Sequence, residues 1–359
     1  MIAMSIIAQL FAFVVGVDTH ARNHVYAVIC AATGRLLATR DFPTTTAGIK
    51  RAMTWVGRHT NGDLSTLWVI EGAASYGAIL ASTVTGLDYE VVEAPWMNAK
   101  NHHGLGKSDP LDAARIGTAV LNLKEEQLRR PRLSDGIRAA LRVLVSARDS
   151  MTKERTKAVN TLISLLRVHY LGIDARNALN RVQITTISTW RTRKEDLAQS
   201  VARAEAVRLA KRIVGLTEDL KTNDTQLTEL VKASPAAPLL EVTGIGPVAA
   251  AICMTAWSHH GRVRSQAAFA ALAGVSPIPA SSGNTVRHRL NRGGDCTLNR
   301  ALHMVALSRM THDPETKKYV EKRTAEGRTT KEIRRTLKRY LARKIYRILN
   351  SQELTLIAA

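Results

Sequence analysis

Four carboxylates and one serine-bearing loop are the parts of this 359-residue chain whose types and spacing can do chemistry. Asp18 follows the apolar run 13–17, Glu71 follows the apolar run in STLWVIEG (65–72), and Asp109 and Asp112 stand three apart in SDPLDAARIG. Two carboxylates at 4 Å repel by about 4 kcal/mol at an effective dielectric of 20, so acids gathered at one point call for a cation. Hard oxygen ligands select Mg²⁺ or Mn²⁺, ions that activate a nucleophile and stabilise a leaving oxygen in phosphoryl transfer. Each acid alone has an ordinary alternative, because an Asp after a strand forms turns and Asp109 is a natural N-cap. Together, in this order, they favour metal chemistry. The loop is SSGNT (281–285), followed by Arg287, His288, Arg289 and Arg292. Ser281 or Ser282 beside a glycine and a guanidinium cluster can attack a phosphodiester, although serines are also common hairpin-turn residues.

These residues need elements to hold them. FVVGVD (13–18), HVYAVIC (24–30) and RLLATRDF (35–42) read as an antiparallel meander. A helical segment TTTAGIKRAMTWVGRH follows, then a buried strand at 65–72, the helix YGAILASTVTG, the strand YEVVEAP (89–95) and a helix over 108–123. Pro110 marks the start of that last helix, with Ser108 or Asp109 as its cap. The order βββαβαβα is an α/β layered sheet. If its first and fourth strands are neighbours, all four acids meet at one edge; Asp109 and Asp112, three apart, share a helix face.

The middle of the chain reads as helical. A first helix spans 135–170, an irregular stretch runs from Gly172 to Arg193, and a second helix covers about 194–231. In the second, Ala202, Ala206, Leu209, Ile213, Leu216, Leu220, Asn223, Leu227 and Leu230 keep 4-3 spacing, the seam of a coiled coil. The seam can join two subunits or close an intramolecular hairpin with the first helix, and Asn223 on it can select register or oligomer. SPAAP (234–238) then breaks the chain. In LLEVTGIGPVAAAI, Gly244 and Gly246 let backbone N–H groups approach a phosphate at a helix N-terminus, as in a helix-hairpin-helix. Residues 317–347 carry 13 Lys/Arg against three acids, with Ile333, Leu337, Leu341, Ile345 and Ile348 as an apolar stripe, a basic amphipathic helix suited to nucleic acid.

Charge and composition agree with that reading. The net charge is +21, yet residues 1–122 are neutral, with nine bases and nine acids, so the whole excess lies behind them. Such an excess points to a polyanion rather than a small metabolite. Hydrophobic residues at 45% exclude a disordered chain, and aromatics at 4% argue against a stacking platform. Cys30, Cys253 and Cys296 lack the spacing of a zinc site or a disulfide framework, in keeping with a cytosolic protein. The uncharged stretch 1–17 lacks a basic n-region and is short for a span. It reads as a strand from Phe13 preceded by an appended leader, Met1 to Leu10, and no membrane partner is expected.

The segments GVDTHARNH (16–24), VIEGAASYG (69–77), KSDPLDAARI (107–116), LLEVTGIGPVAAAI (239–252) and ALAGVSPIPASSGNTVRHRLNRGGDCTLNRALHM (271–304) resemble, in order, the motifs of a transposase family. That family comprises insertion-sequence transposases that pair a RuvC-like DEDD domain with a serine-bearing transposase domain, the bridge-RNA-guided recombinases. The resemblance implies three regions: an RNase H-like (RuvC-like) α/β domain at 13–123, a helical coiled-coil arm at 135–232, and a mainly α transposase domain at 236–350. It implies that Asp18, Glu71, Asp109 and Asp112 bind Mg²⁺, with Mn²⁺ as a substitute, and that Ser282 forms a phosphoserine link to DNA. Gly244, Gly246, Arg287, Arg289 and Arg292 are then expected to contact nucleic acid. The implied partners are donor and target DNA, a non-coding bridge RNA, and further copies of the chain, a homodimer pairing into a tetramer in the bacterial cytoplasm at the nucleoid. Two other readings fit the residues alone: a Holliday-junction resolvase-like nuclease using only the acids, and a non-catalytic nucleic-acid-binding protein.

Overall fold

A computed structural model describes residues 5–95, 108–133, 136–281 and 288–358, without the side chains of His288 and residues 352–358. The chain divides into two compact units, Met1–Ser134 with Gly261–Arg264, and Asp135–His260 with Ser265–Ala359.

The first unit is built on a five-stranded sheet: β1 (Phe13–Thr19), β2 (Asn23–Cys30), β3 (Leu36–Pro43), β4 (Thr66–Ile70) and β5 (Glu90–Glu93), in the order β3-β2-β1-β4-β5. The first three strands form the expected meander, and β4 and β5 run parallel to β1. The two faces can be read from the alternation along β1. Val15 and Val17 pack with Tyr26, Trp68 and Ile70 under α2 (Thr46–Thr60) and α3 (Ala78–Thr85). Val14 faces the other way, with Leu67, Val69 and Ile116, under α4 (Asp109–Thr118). This mixed sheet between helices fits the RNase H-like expectation.

The sequence explains why the helices sit where they do. Thr45 caps α2 by accepting from the Gly48 N–H, and Ile49, Ala52 and Val56 form its buried stripe. Helix α4 buries Ala113, Ile116 and Gly117. Its approach to the sheet is set by Gly16, where an added Cβ would lie 2.1 Å from the Ala113 carbonyl oxygen and 2.5 Å from the Gly117 nitrogen. Here the backbones of strand and helix touch, and only glycine permits it.

Residues 6–12 depart from the expectation of an appended leader. Ile7 opens α1 (Ile7–Leu10), is fully buried among Val14, Ile29 and Leu67, and donates its N–H to the Leu123 carbonyl. Apolar surface on Val14 and Leu67 would otherwise face water, and this segment covers it.

In the second unit α5 (Gly136–Val168) and α7 (Leu197–Lys232) pack as an antiparallel helical hairpin, each roughly 50 Å long at 1.5 Å per residue. Of the two partners open to the heptad seam, the structure supplies the intramolecular one. Asn223 is buried in this hairpin, donating to the Leu144 carbonyl at 3.1 Å and accepting from Arg148 at 3.4 Å. A buried amide satisfied from one position only sets the register between the two helices. The stretch expected to be irregular contains α6 (Arg181–Ser188), capped by Asn180, whose Ile184 and Ile187 join Leu162, Leu166, Ala206 and Ala210 in a small core at the hairpin tip.

Beyond the hairpin come α8 (Pro247–Trp257), α9 (Gln266–Leu272), the short strands β6 (Ile278–Pro279) and β7 (His288–Arg289), and α10 (Cys296–His312). The basic segment at 317–347 is two helices rather than one, α11 (Pro314–Ala325) and α12 (Thr330–Ala358). The break falls at Gly327, whose φ of 78° no continuing helix allows. On α12, Ile333, Leu337, Leu341 and Ile345 are buried, the stripe expected of an amphipathic helix. Among the described residues no helix is long and apolar enough to cross a membrane.

Candidate metal centre and serine hairpin

β1 and β4 are parallel neighbours in the register Val17↔Ile70, so Asp18 and Glu71 come next to each other at the same end of the sheet. The Glu71 backbone is fixed there, donating its N–H to the Val17 carbonyl at 3.0 Å and accepting from the Thr19 hydroxyl at 2.8 Å. Asp18 shares the face of Val14 and Gly16, the face on which α4 lies. Because Gly16 seats α4 against the backbone, the N-terminal turn of that helix arrives over Asp18.

Asp109 does not cap α4. The N-cap position is Ser108, which makes no side-chain capping bond, and Asp109 is the first helical residue. Its carboxylate instead approaches Asp18 through His20, whose Nε2 lies 3.2 Å from Asp18 Oδ2 and 3.8 Å from Asp109 Oδ2. One ligand atom each from Asp18, His20 and Asp109 all lie within 4.8 Å of one another. Asp112 lies one turn further along, 3.0 Å from the Arg115 guanidinium. The Asp18 side chain is only 11% exposed, against 59% for Asp109. Burial holds the Asp18 carboxyl above its ordinary range; the neighbouring charges of Asp109 and Asp112 add to the rise, and His20 opposes it.

Two of the other expected acids, Asp109 and Asp112, are thus electrostatic neighbours of Asp18, and Glu71 is on the adjoining strand end. Glu71 also lines an open cleft of about 480 Å³ with Glu93 and Arg129. His20 was not foreseen, although Asp-x-His at the end of a strand was a signal, since residues two apart share a face. The donor set fits a divalent cation: a buried carboxylate disfavoured as an anion, a second carboxylate and an imidazole nitrogen within bridging range.

The other expected residues belong to the second unit. β6 and β7 pair antiparallel, Ile278 opposite Arg289 and Pro279 opposite His288, so they flank the serine loop as a hairpin. Ser281 and Arg289 are exposed, whereas Ser282 and Arg287 lie outside the described residues. Arg292 lines a cavity described below. Gly244 has a φ of 86° and packs on α10, where an added Cβ would meet the Val305 carbonyl and Arg309 at 3.2 Å. Gly246 is the N-cap of α8 with no side-chain capping bond. Both glycines line a groove of about 1150 Å³ between α5, α8 and α10.

Comparison with known proteins gives a consistent result. Residues 15–171 match a family model for the DEDD transposases of IS110 elements, and residues 236–321 match the transposase family of IS116, IS110 and IS902. The chain is 24% identical over 312 residues to the insertion element IS110 uncharacterized 43.6 kDa protein of Streptomyces coelicolor, covering 74% of this chain and 77% of that one. It is also 24% identical over 360 residues to the insertion element IS900 uncharacterized 42 kDa protein of Mycobacterium paratuberculosis, covering 87% and 89%. The DEDD domain implies the use of a divalent metal, and the chain has an acidic cluster at Asp18. With both halves matched in order and an acidic cluster where the first half requires one, the chain belongs to the IS110 family of transposases, enzymes that act on DNA in the transposition of insertion elements.

Proposed function

We propose that this transposase cuts and rejoins DNA in a Mg²⁺-dependent reaction through a phosphoserine intermediate, at sites chosen by a bridge RNA of its element. The observation that carries the metal part is the convergence of Asp18, His20 and Asp109 at one sheet edge, with Asp112 and Glu71 beside them. Mg²⁺ held by Asp18, Glu71, Asp109 and Asp112 would polarise a phosphoryl oxygen and offset the charge that develops on it. In the cutting step the hydroxyl oxygen of Ser282 bonds to phosphorus, the bond from phosphorus to the neighbouring nucleotide's oxygen breaks, and the serine proton ends on that leaving oxygen. Attack by a hydroxyl end of another strand reverses the exchange and frees the serine. One phosphodiester is made for each one broken, so no external energy source is needed.

Support for the serine comes from its setting between the paired strands β6 and β7, with Arg289 and Arg292 close in sequence to stabilise developing charge. Gly244, Gly246 and Arg287 complete the expected nucleic-acid contacts. Assembly into a dimer and tetramer is supported by the hairpin tip, where Val168, Tyr170, Val182 and Leu197 are all exposed.

The test is trapping. Protein, bridge RNA, Mg²⁺ and the two DNA partners should yield a protease-sensitive protein–DNA adduct that disappears in Ser282→Ala and persists in Ser281→Ala. Cleavage without an adduct, leaving free phosphate ends, would instead assign the chemistry to the acids and water.

A further inference from the structure

A cavity of about 580 Å³ in the second unit is lined by Arg292, Lys331, Arg334, Arg335, Lys338 and Arg339, with His303 on a further wall. Among the described residues that line it there is no Asp or Glu. Five of the six cations come from α12, whose spacing of three and four places them on one face, where like charges repel. The larger groove between α5, α8 and α10 is different. Its Lys153 and Arg300 both reach Asp149 at 2.6 Å, so part of its positive charge is already paired within the protein.

Two cations of the smaller cavity, Lys338 and Arg339, are held by neutral groups instead. Lys338 donates to Asn299 Oδ1 at 2.8 Å, and Asn299 in turn donates to the Ala273 carbonyl at 2.7 Å. Arg339 donates to the Ser276 hydroxyl at 3.1 Å. These bonds fix the donors in place without neutralising them. Burial lowers the Lys338 ammonium below its usual range, with Arg335 adding to the effect, and burial together with Lys338 and Arg334 lowers His303. Like charges kept crowded, oriented and partly desolvated form a preorganised anion site.

Its place in the chain says which anion. The cavity walls include Ser276 and Pro277, which lead directly into β6, and Leu290 and Asn291, which follow β7. Both ends of the serine hairpin therefore start from this cavity. We infer that the cavity grips the phosphodiester backbone of the DNA strand offered to the serine loop, with Arg334, Arg335 and Lys338 as positioning residues. The inference rests on the serine reading given above. A strand gripped at the hairpin base presents its neighbouring phosphates toward the loop, and a backbone grip reads no sequence.

The test uses the full-length chain and two labelled duplexes of one sequence, DNA and RNA. Arg334→Gln/Arg335→Gln is compared with Lys317→Gln/Lys318→Gln, two exposed lysines of α11 that line none of these cavities. The cavity pair should lose at least about tenfold more DNA affinity than the control, and its log–log salt dependence should flatten by about 1 to 2 units. Its melting temperature without DNA should be unchanged or higher, because repulsion is relieved. Equal losses in both pairs, or a loss confined to the RNA duplex, overturns the inference. Affinity is read without catalysis, so an absent adduct in the trapping assay counts against the serine reading alone.

Discussion

The two units each gather like charges, and they do so by opposite means. Around Asp18 the acids come from residues 18 to 112, brought together by sheet order and one helix seated on glycine. In the cavity of the second unit five cations come from adjacent turns of α12, and the fold needs only to wall them in. The acidic cluster is compact enough for a single small ion to offset it. The basic one is spread along a helix face and suits an extended polyanion. On the proposed reading, one site serves chemistry at a point and the other holds a strand.

That division makes its strongest claim about Asp18. Asp18→Asn should reduce Mg²⁺-dependent strand cleavage by at least about 10³-fold, equivalent to about 4 kcal/mol in the barrier, while DNA affinity stays near that of the wild type. A parallel fall in affinity, measured by titration with labelled duplex, would erase the distinction between the two clusters.

The next effect concerns the scaffold of the acidic site. Gly16→Ala forces α4 off the sheet and should cost about 3 kcal/mol of stability, read as a lower denaturant midpoint. Retained activity in a stably folded Gly16→Ala protein would mean that close seating of α4 is dispensable. The corresponding scaffold in the second unit is softer. Asn299→Ala removes the bonds to Lys338 and the Ala273 carbonyl and should cost about 1 kcal/mol, with a larger effect on DNA affinity than on melting. The reverse order would make Asn299 purely structural.

The smallest effect is a pH dependence. The Asp18 carboxyl is raised in the folded protein, so the fold binds more protons there than the unfolded chain does. In EDTA the contribution of this group to stability is therefore fullest below the unfolded carboxylate pKa and declines as pH rises through the raised folded value. Asp18→Asn should remove that decline and melt slightly higher than wild type at neutral pH without metal. Thermal melts across the acid range, with and without EDTA, check the sign.

Much of the acidic site is legible in the sequence, because strand ends and a helix start can be placed from apolar runs and from Pro110. The neighbouring of β1 and β4 could be stated only as a condition. His20 is not legible as a ligand candidate, since a histidine two residues after an aspartate becomes informative only once the strand is known to end beside a helix. The heptad seam on α7 was plain, but periodicity does not say whether the partner is α5 or a second copy; Leu144 and Arg148, 79 and 75 residues away from Asn223, settle that within the hairpin. The basic cavity was least legible. Its cations are visible as a run, but that no Asp or Glu stands among the described residues lining the cavity depends on how α9, α10 and α12 pack, which charge counting does not reveal. Ile7 shows the same limit from the apolar side, since the surface on which its segment docks is formed only when Val14, Ile29 and Leu67 come together in the fold.

The contact at Gly16 has a mechanical consequence. A helix resting only on side chains can rock as those side chains change rotamer, whereas α4, besides packing Ala113 and Ile116, touches the sheet main chain on main chain, with Gly117 drawn against Gly16. Steric hardness replaces a compliant cushion. The separation of the Asp18 and Asp109 Cα atoms is therefore expected to behave as a fixed gauge, and differences in the size of an ion held there would be absorbed by carboxylate torsions and the His20 ring rather than by travel of the helix.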